Sequence, residues 1–439
     1  MKKALISLVI VIIIALGALK IVMKLSWPDR PAPHDADLAI ERIELPPEDN
    51  AYTYFNAATN TFYWPTNATH IADYLEGKTV ATRLITDILD RNTSTLASIQ
   101  EGIARHKCVT PEVRGLETPT PEIRPWLNIG KVLMVKTRYH RLAGQHVQAT
   151  ETCILLLQFG DLLQQNPESL IQYLTGIAIR GFGLTQAQEL ARDPHLPLAE
   201  LSRLSATLAK LSPSAPGLTR AIKTEYQMVA NTIDQFHNGT YGTAELTRLV
   251  DHKPSLSIKA KRLSPYLLQP NATKETFANY YREVIANIPL PYSQMKSFDI
   301  EKAFGLNKSQ ARQILRPNTI GRLFYALFPL GVNKLLQNRC RADCDLAATQ
   351  IIVACRQYQQ ERHNLPDNLE ALVPAYLAAI PTDPFDGQPF RYNAAQKIIY
   401  SVGQDLQDSG GSTQVPEGAI ATQPSARRWK ADDAVYEIE

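Results

Sequence analysis

The chain has few cysteines, no excess of either charge, and none of the short signatures that announce a known chemistry. Five cysteines among 439 residues, at Cys108, Cys153, Cys340, Cys344 and Cys355, are too few and scattered for a disulfide scaffold. Cys340 and Cys344 do not form a CxxC, and two further ligands for zinc are missing. On a helix they share a face. A bridge between them needs local distortion; otherwise they are buried free thiols like the rest. The balance of 46 basic and 43 acidic residues gives a net charge of +3 with no large block of one sign. That argues against nucleic acid as a partner, because counterion release needs a concentrated basic surface. The short run Arg427, Arg428 and Lys430 reads as a solvated loop. A GxSxG elbow, an HExxH helix, a phosphate loop and a GxGxxG turn are all missing, and "GIAIRGFG" (Gly176 to Gly183) matches none of them. The expectation is a protein that is not an enzyme.

What is present begins with one long apolar run. "MKKALISLVIVIIIALGALKIVMKL" carries Lys2 and Lys3, then sixteen uncharged residues from Ala4 to Leu19. Extension to Leu25, with Lys20 and Lys24 reaching the far interface, approaches the roughly 20 apolar residues that a bilayer core requires. A polar cleavage region is not evident, so residues 1–25 are expected to be an uncleaved single-pass inner-membrane anchor, with a removed signal as the alternative. The bulk of the chain is then periplasmic. Residues 26–48 carry Pro28, Pro31, Pro33, Pro46 and Pro47 and read as a stiff spacer. Its His34, Asp35 and Asp37 are expected to be solvated.

Residues 49–340 read as a helical domain. Leu84, Ile85, Ile88, Leu89, Leu96, Ile99 and Ile103 recur at helical spacing. Further runs cover Leu198–Leu211, Leu218–Phe236, Lys274–Ile288 and Ile320–Leu336, with breaks near Gly144 and at Asn166-Pro167. Little alternates with period two, so antiparallel helical hairpins in a bundle are expected. The aromatic cluster Tyr52 to Trp64 reads as an anchor into a core. His140, His146 and Glu151 are spaced wrongly for one helical face. Arg180, in an apolar stretch, wants a carboxylate or a buried anion.

Residues 341–439 read as an α+β unit. Ala348, Ile351, Ile352, Cys355 and Tyr358 form one helical stripe, with Asp345 near the helix start and Arg362 and His363 at its end. "PFRY" and "KIIYSV" then read as two strands joined by the turn Asn393 to Gln396. In its actual words, "HNLPDNLEALVP", "IPTDPFDGQPFRY", "YSVGQDLQDSGG" and "DDAVYEI", the segment Asp345–Glu439 resembles the globular head of the type II secretion major pseudopilin family. The resemblance implies a calcium ion in the last loop. By position, Asp405 and one of Asp432 or Asp433 match the side-chain ligands, and Asp408 is a further candidate by proximity. Calcium takes about six to eight hard oxygens, which such a loop can supply. The other reading makes these aspartates turn formers bonded to their own backbone. The family's processed leader junction and its glutamate have no counterpart here, and several hundred residues separate anchor from head. The whole chain is therefore similar to bacterial envelope proteins that keep the head as a C-terminal module.

The functional expectation is a membrane-anchored envelope scaffold with a protein partner in a secretion or surface-assembly system. A carrier of a hydrophobic or cell-wall ligand and an enzyme with an unrecognised site in the helical domain are the alternatives.

Overall fold

The computed structural model describes residues 28–66, 69–79, 83–113, 115, 118, 123–240, 268–297, 318–327, 331–415 and 427–439. The expected anchor, residues 1–25, lies outside them, and none of the described helices is long and apolar enough to cross a membrane. The described chain is mainly helical, with twelve α-helices and a small three-stranded antiparallel sheet.

The first helices are α1 (Ala51–Thr61), α2 (Thr69–Leu75), α3 (Arg83–Arg91) and α4 (Thr93–Ile103). Asn50 caps α1 by accepting from Tyr52 N at 3.1 Å. The same side chain clasps Val109, accepting from its N–H at 3.0 Å and donating to its carbonyl at 2.8 Å. The aromatic cluster does anchor α1: Phe55 is fully buried against Phe159, ring centroids 4.8 Å apart. Trp126 donates its indole N–H to the Phe55 carbonyl at 3.3 Å.

Next come α5 (Ile123–Leu142), α6 (His146–Gln165) and α7 (Leu170–Arg192). Gly144 makes the first turn at φ +70°, where a side chain would be strained. Ser169 caps α7, accepting from Gln172 N at 3.2 Å. Between α6 and α7 the backbones touch. A Cβ on Gly160 would stand 2.3 Å from Arg180 N, and one on Gly176 would stand 2.7 Å from Gln164 N. The pairing 160 with 180 and 164 with 176 runs in opposite directions, so the two helices are antiparallel.

The array continues through α8 (Leu198–Leu208), α9 (Ser214–His237), α10 (Pro270–Asn287), α11 (Thr319–Leu327) and α12 (Val332–Arg362). Where the spacing predicts one helix over 320–336 there are two, and Gly331 sits just before the second. Gly331 is a poor helix-interior residue, in keeping with the break before the second helix. α12 therefore starts before the expected domain boundary and runs through it. Asp345 lies well inside this helix rather than at its start, too far from the terminus to serve the helix dipole. Cys340 and Cys344 are free and buried, as are the other three cysteines. Burial raises the Cys340 thiol to about 12. The distortion a bridge would require is not made.

The proline-rich spacer stays largely exposed, His34 and Asp37 included, but it is docked on the helices rather than free. Asp29 accepts from Asn271 N at 2.9 Å and Ala272 N at 3.1 Å, capping α10. Asp37 pairs with Arg282 at 2.7 Å, and Asp35 accepts from the Tyr226 hydroxyl. Leu38 is buried among residues of α7, α9 and α10. Residues 28–41 thus form a strap laid along α9 and α10, and residues 42–49 lead on to Glu112 and α1. The reason is charge: proline keeps the backbone extended while its acidic residues meet cations and a helix N-terminus.

The sheet has the order β1 (Arg391–Asn393), β2 (Ile398–Ser401), β3 (Ala434–Glu437), with Tyr400 opposite both Arg391 and Val435. β3 is an addition to the two expected strands. β2 is buried on both faces, not alternately. Ile399 belongs to the core shared with α12. Gly411 folds over the other face so closely that a Cβ would stand 2.5 Å from Ile398 Cδ1.

Candidate functional site

The word "DPFDG" places its first aspartate at the centre of the terminal unit. Asp383 is fully buried. One carboxylate oxygen accepts from Phe385 N at 2.9 Å and Ser401 Oγ at 2.8 Å. The other accepts from Val402 N at 3.0 Å and Arg391 Nη1 at 3.3 Å. Burial raises its pKa, and the hydrogen bonds from Phe385, Ser401 and Val402 oppose that rise. Arg391 also holds Asp386 at 2.5 Å and Asp408 at 3.0 Å. The words that carry the family resemblance are therefore a buried structural knot joining the turn at Asp383–Gly387 to β1 and β2.

The four expected calcium ligands divide into two pairs. Asp433 is buried and accepts from Gly411 N at 2.8 Å, Ser412 N at 3.1 Å and Ser409 N at 3.4 Å. Burial lifts its pKa, and those three amides pull the other way. Asp408 is bound by Arg391, by Gly410 N at 3.0 Å and by the Tyr400 hydroxyl at 3.2 Å. Partial burial would raise its pKa, but these donors outweigh burial and leave it lowered. Asp405 and Asp432 are different. Asp405 is exposed and accepts from Gln407 N at 3.1 Å, while Asp432 accepts from Ser412 Oγ at 3.0 Å. The Asp432 backbone carbonyl comes near Gly403, two residues before Asp405, a Cβ there standing 3.8 Å from the oxygen. Among the described residues, no three His, Cys, Asp or Glu side chains are grouped as metal ligands. A calcium ion here would rest on Asp405, Asp432 and loop carbonyls, because Asp408 and Asp433 are committed elsewhere.

The terminal unit is fastened to the helices through α12. Tyr436 of β3 donates its hydroxyl to Asp345 at 2.7 Å, and Arg428 Nη1 stands 3.4 Å from the same carboxylate. The Arg428 guanidinium also lies 4.0 Å over the Tyr436 ring, so this basic residue is not a solvated one. Burial raises the Asp345 pKa, opposed by Arg428 and Tyr436. On the opposite side α12 meets α7 and α8: Gln188 bonds Thr349 at 2.8 Å, Arg356 Nε donates to Ala191 O at 2.9 Å, and Gln350 donates to Leu208 O at 3.1 Å.

Arg180 does find a carboxylate, loosely. It is fully buried, with Nη1 at 3.5 Å from Asp161 and 2.7 Å from Ser212 O, and Nη2 at 2.5 Å from Ser214 Oγ. The arginine ties α7 to the start of α9. His140 bonds Gln145 at 2.6 Å, His146 lies 3.9 Å from Asp193, and Glu151 lies 3.6 Å from Arg203, so these three do not converge. Sequence reasoning missed Asp383 and Arg391. The available signal was a charged pair inside otherwise apolar strand words, since such groups are buried only when paired. No family model, curated protein or solved structure matches this chain, and its chemistry is read from its own residues.

Proposed function

We propose that this chain is a membrane-anchored, extracytoplasmic scaffold of the bacterial envelope that holds a pseudopilin-like terminal unit rigidly for a protein partner in a secretion or surface-assembly system. The observation that carries the reading is the single 31-residue helix α12. One apolar core contains Cys153, Leu157 and Leu184 of α6 and α7, Leu201 of α8, Ile351 and Ile352 of α12, and Ile399 and Tyr436 of the sheet. A unit built this way is presented at a fixed angle, which suits a docking platform better than a tethered head. Leu406 supports the same reading. It is an exposed leucine at φ +62°, a backbone conformation that costs about 1 kcal/mol or more. In this reading a bound calcium ion rests on Asp405 and Asp432 with loop carbonyls.

Because α12 and the helices share a core, deleting the terminal unit would unfold its neighbour and test nothing. A photo-crosslinking amino acid at position 406, in cells, is the sharper test. It should give a discrete adduct with a protein of an envelope assembly system, and a phosphatase fused after Glu439 should be active outside the cytoplasm. An adduct pattern identical to that of a control site such as Gln165, or an inactive phosphatase, would sink the proposal.

A further inference from the structure

The docked strap shows what the surface of α9 and α10 can hold. These helices run antiparallel, since Lys274 bonds Asp234 at 2.9 Å near one end and the Tyr281 ring meets that of Tyr226 further along. The strap lies along both. Side chains of the two helices donate to its main-chain carbonyls one after another. Gln269 reaches Pro28 at 2.9 Å, Asn271 reaches Arg30 at 2.9 Å, and Arg282 reaches His34. Gln227 then reaches Leu38 at 3.2 Å, and Arg220 reaches Glu41 at 3.0 Å. These donors read backbone rather than side chains. They suit an extended, proline-bearing segment, because such backbone makes no hydrogen bonds of its own.

Selection by side chain falls on three neighbouring positions. Leu38 enters the apolar core of α7, α9 and α10. Arg282 grips the Asp37 carboxylate through two bonds, at 2.7 and 2.8 Å, and Asp35 accepts from the Tyr226 hydroxyl. Such a two-pronged arginine pair adds directional specificity to charge. The surface thus selects an acid, any residue, a second acid and a leucine. Yet the strap is lightly held. Of residues 28–41 only Leu38 is buried. Exposed ion pairs such as Arg30 with Glu275 contribute little, so one leucine supplies most of the apolar attachment. An occupant held this way exchanges with another of the same chemistry.

We propose that the groove along α9 and α10 is a recognition site for a linear segment of a partner polypeptide, extended and carrying the pattern acid, any residue, acid, leucine. Residues 28–41 occupy it in cis until such a segment displaces them. The strap is a tethered competitor, because its connection to α1 keeps its local concentration near about 1 mM. The site stands or falls independently of the scaffold reading.

The test uses the full chain in amphipol and a fluorescent synthetic peptide of residues 28–41, read by anisotropy. A strap-released chain carries Asp37→Lys and Leu38→Asp, which alter the strap and leave the groove intact. It should bind the peptide at least about tenfold more tightly than the unaltered chain, whose own strap competes. Arg282→Gln in the released chain should weaken binding about tenfold, the scale of a lost charge-assisted pair. Leu38→Ser in the peptide should also weaken it at least about tenfold, through lost apolar burial. A peptide with the same residues in reversed order should not compete. A second measurement needs no variant. The Leu38 and Ala39 amides are hydrogen-bonded within the docked strap. An isotope-labelled peptide at about 1 mM should speed their hydrogen exchange at least about threefold, by taking the groove whenever the strap lifts. Equal binding by both chains, binding indifferent to Arg282→Gln and to Leu38→Ser, or an unchanged exchange rate would overturn the proposal. If the released chain fails to fold, the exchange rate of the unaltered chain decides alone.

Discussion

The strap at residues 28–41 and the terminal loop at residues 403–415 are both short, acidic and irregular, yet they are held in opposite ways. Carboxylates of the strap reach partners more than 190 residues away: Asp35 to Tyr226, Asp29 to the start of α10, and Asp37 to Arg282. The carboxylates that hold the terminal loop bond within the unit: Asp433, just before β3, to Ser409, Gly411 and Ser412 of the loop, and the loop's own Asp408 to Arg391 and Gly410. The first arrangement closes a long loop at an exposed surface, where each pair contributes little. The second includes a fully buried carboxylate, Asp433, whose bonds satisfy a group that water cannot reach, while Asp408 stays partly exposed. The terminal loop should therefore be the stable partner of the two, and the strap the one that lets go.

The largest effect should come from Asp383→Ala. It strips a buried carboxylate from two amides, a hydroxyl and Arg391, and should cost about 3–5 kcal/mol. Thermal unfolding and the near-ultraviolet signal of Trp429 should show it, since that ring lies 5.6 Å from Phe385. A loss below about 1 kcal/mol would mean the knot is not central. Asp433→Asn should cost less, about 1–3 kcal/mol, because the amide oxygen can still accept from some of the loop N–H groups. If calcium rests on Asp405 and Asp432, its addition should raise the midpoint against chelator, and Asp405→Asn should remove that rise. An unchanged midpoint would leave these residues as turn formers.

Smaller still, Asp29→Ala should cost about 1 kcal/mol as a lost helix cap. Its clearest sign would be faster protease cleavage near residues 30–40 with the global midpoint hardly moved.

The two regions also separate by pH. The hydrogen bond and charge of Arg282 hold the Asp37 pKa below its ordinary value. Its contribution is thus present above the unfolded carboxylate value of about 4 and is lost as pH falls through the folded one. Asp383 and Asp433 have pKa values raised by burial, so the sign reverses. Their protonation favours the folded state, and their share of stability declines as pH rises from the unfolded value through the folded one. Acidification below about pH 4 should therefore release the strap before the terminal unit, as hydrogen exchange would record. Simultaneous release would contradict the contrast.

Periodicity made most helices legible, because an apolar stripe is a local property. Breaks at Gly144 and Asn166-Pro167 were readable for the same reason. The strap was not, since nothing in "PAPHDADLAIE" tells which cations lie 190 or more residues onward. Asp345 was misplaced because a continuous α12 depends on burial against α7 that no window of sequence displays. In the terminal unit the hairpin was legible from alternation and turn residues. Strand β3 was hidden behind the long insertion, with only four residues to announce it. For the site, the aspartates of the last loop were visible by type, but their division into committed and open pairs depends on which amides point at them.

One consequence of the docked strap concerns reach. In the anchored reading proposed above, the length of chain between anchor and body is not the whole proline-rich stretch, because the strap is docked from Asp29 onward; it is at most the residues from Leu25 to Asp29. Those span at most about 15 Å. The N-terminal end of α10 would then sit close against the lipid surface, and the body could swivel there but not roam.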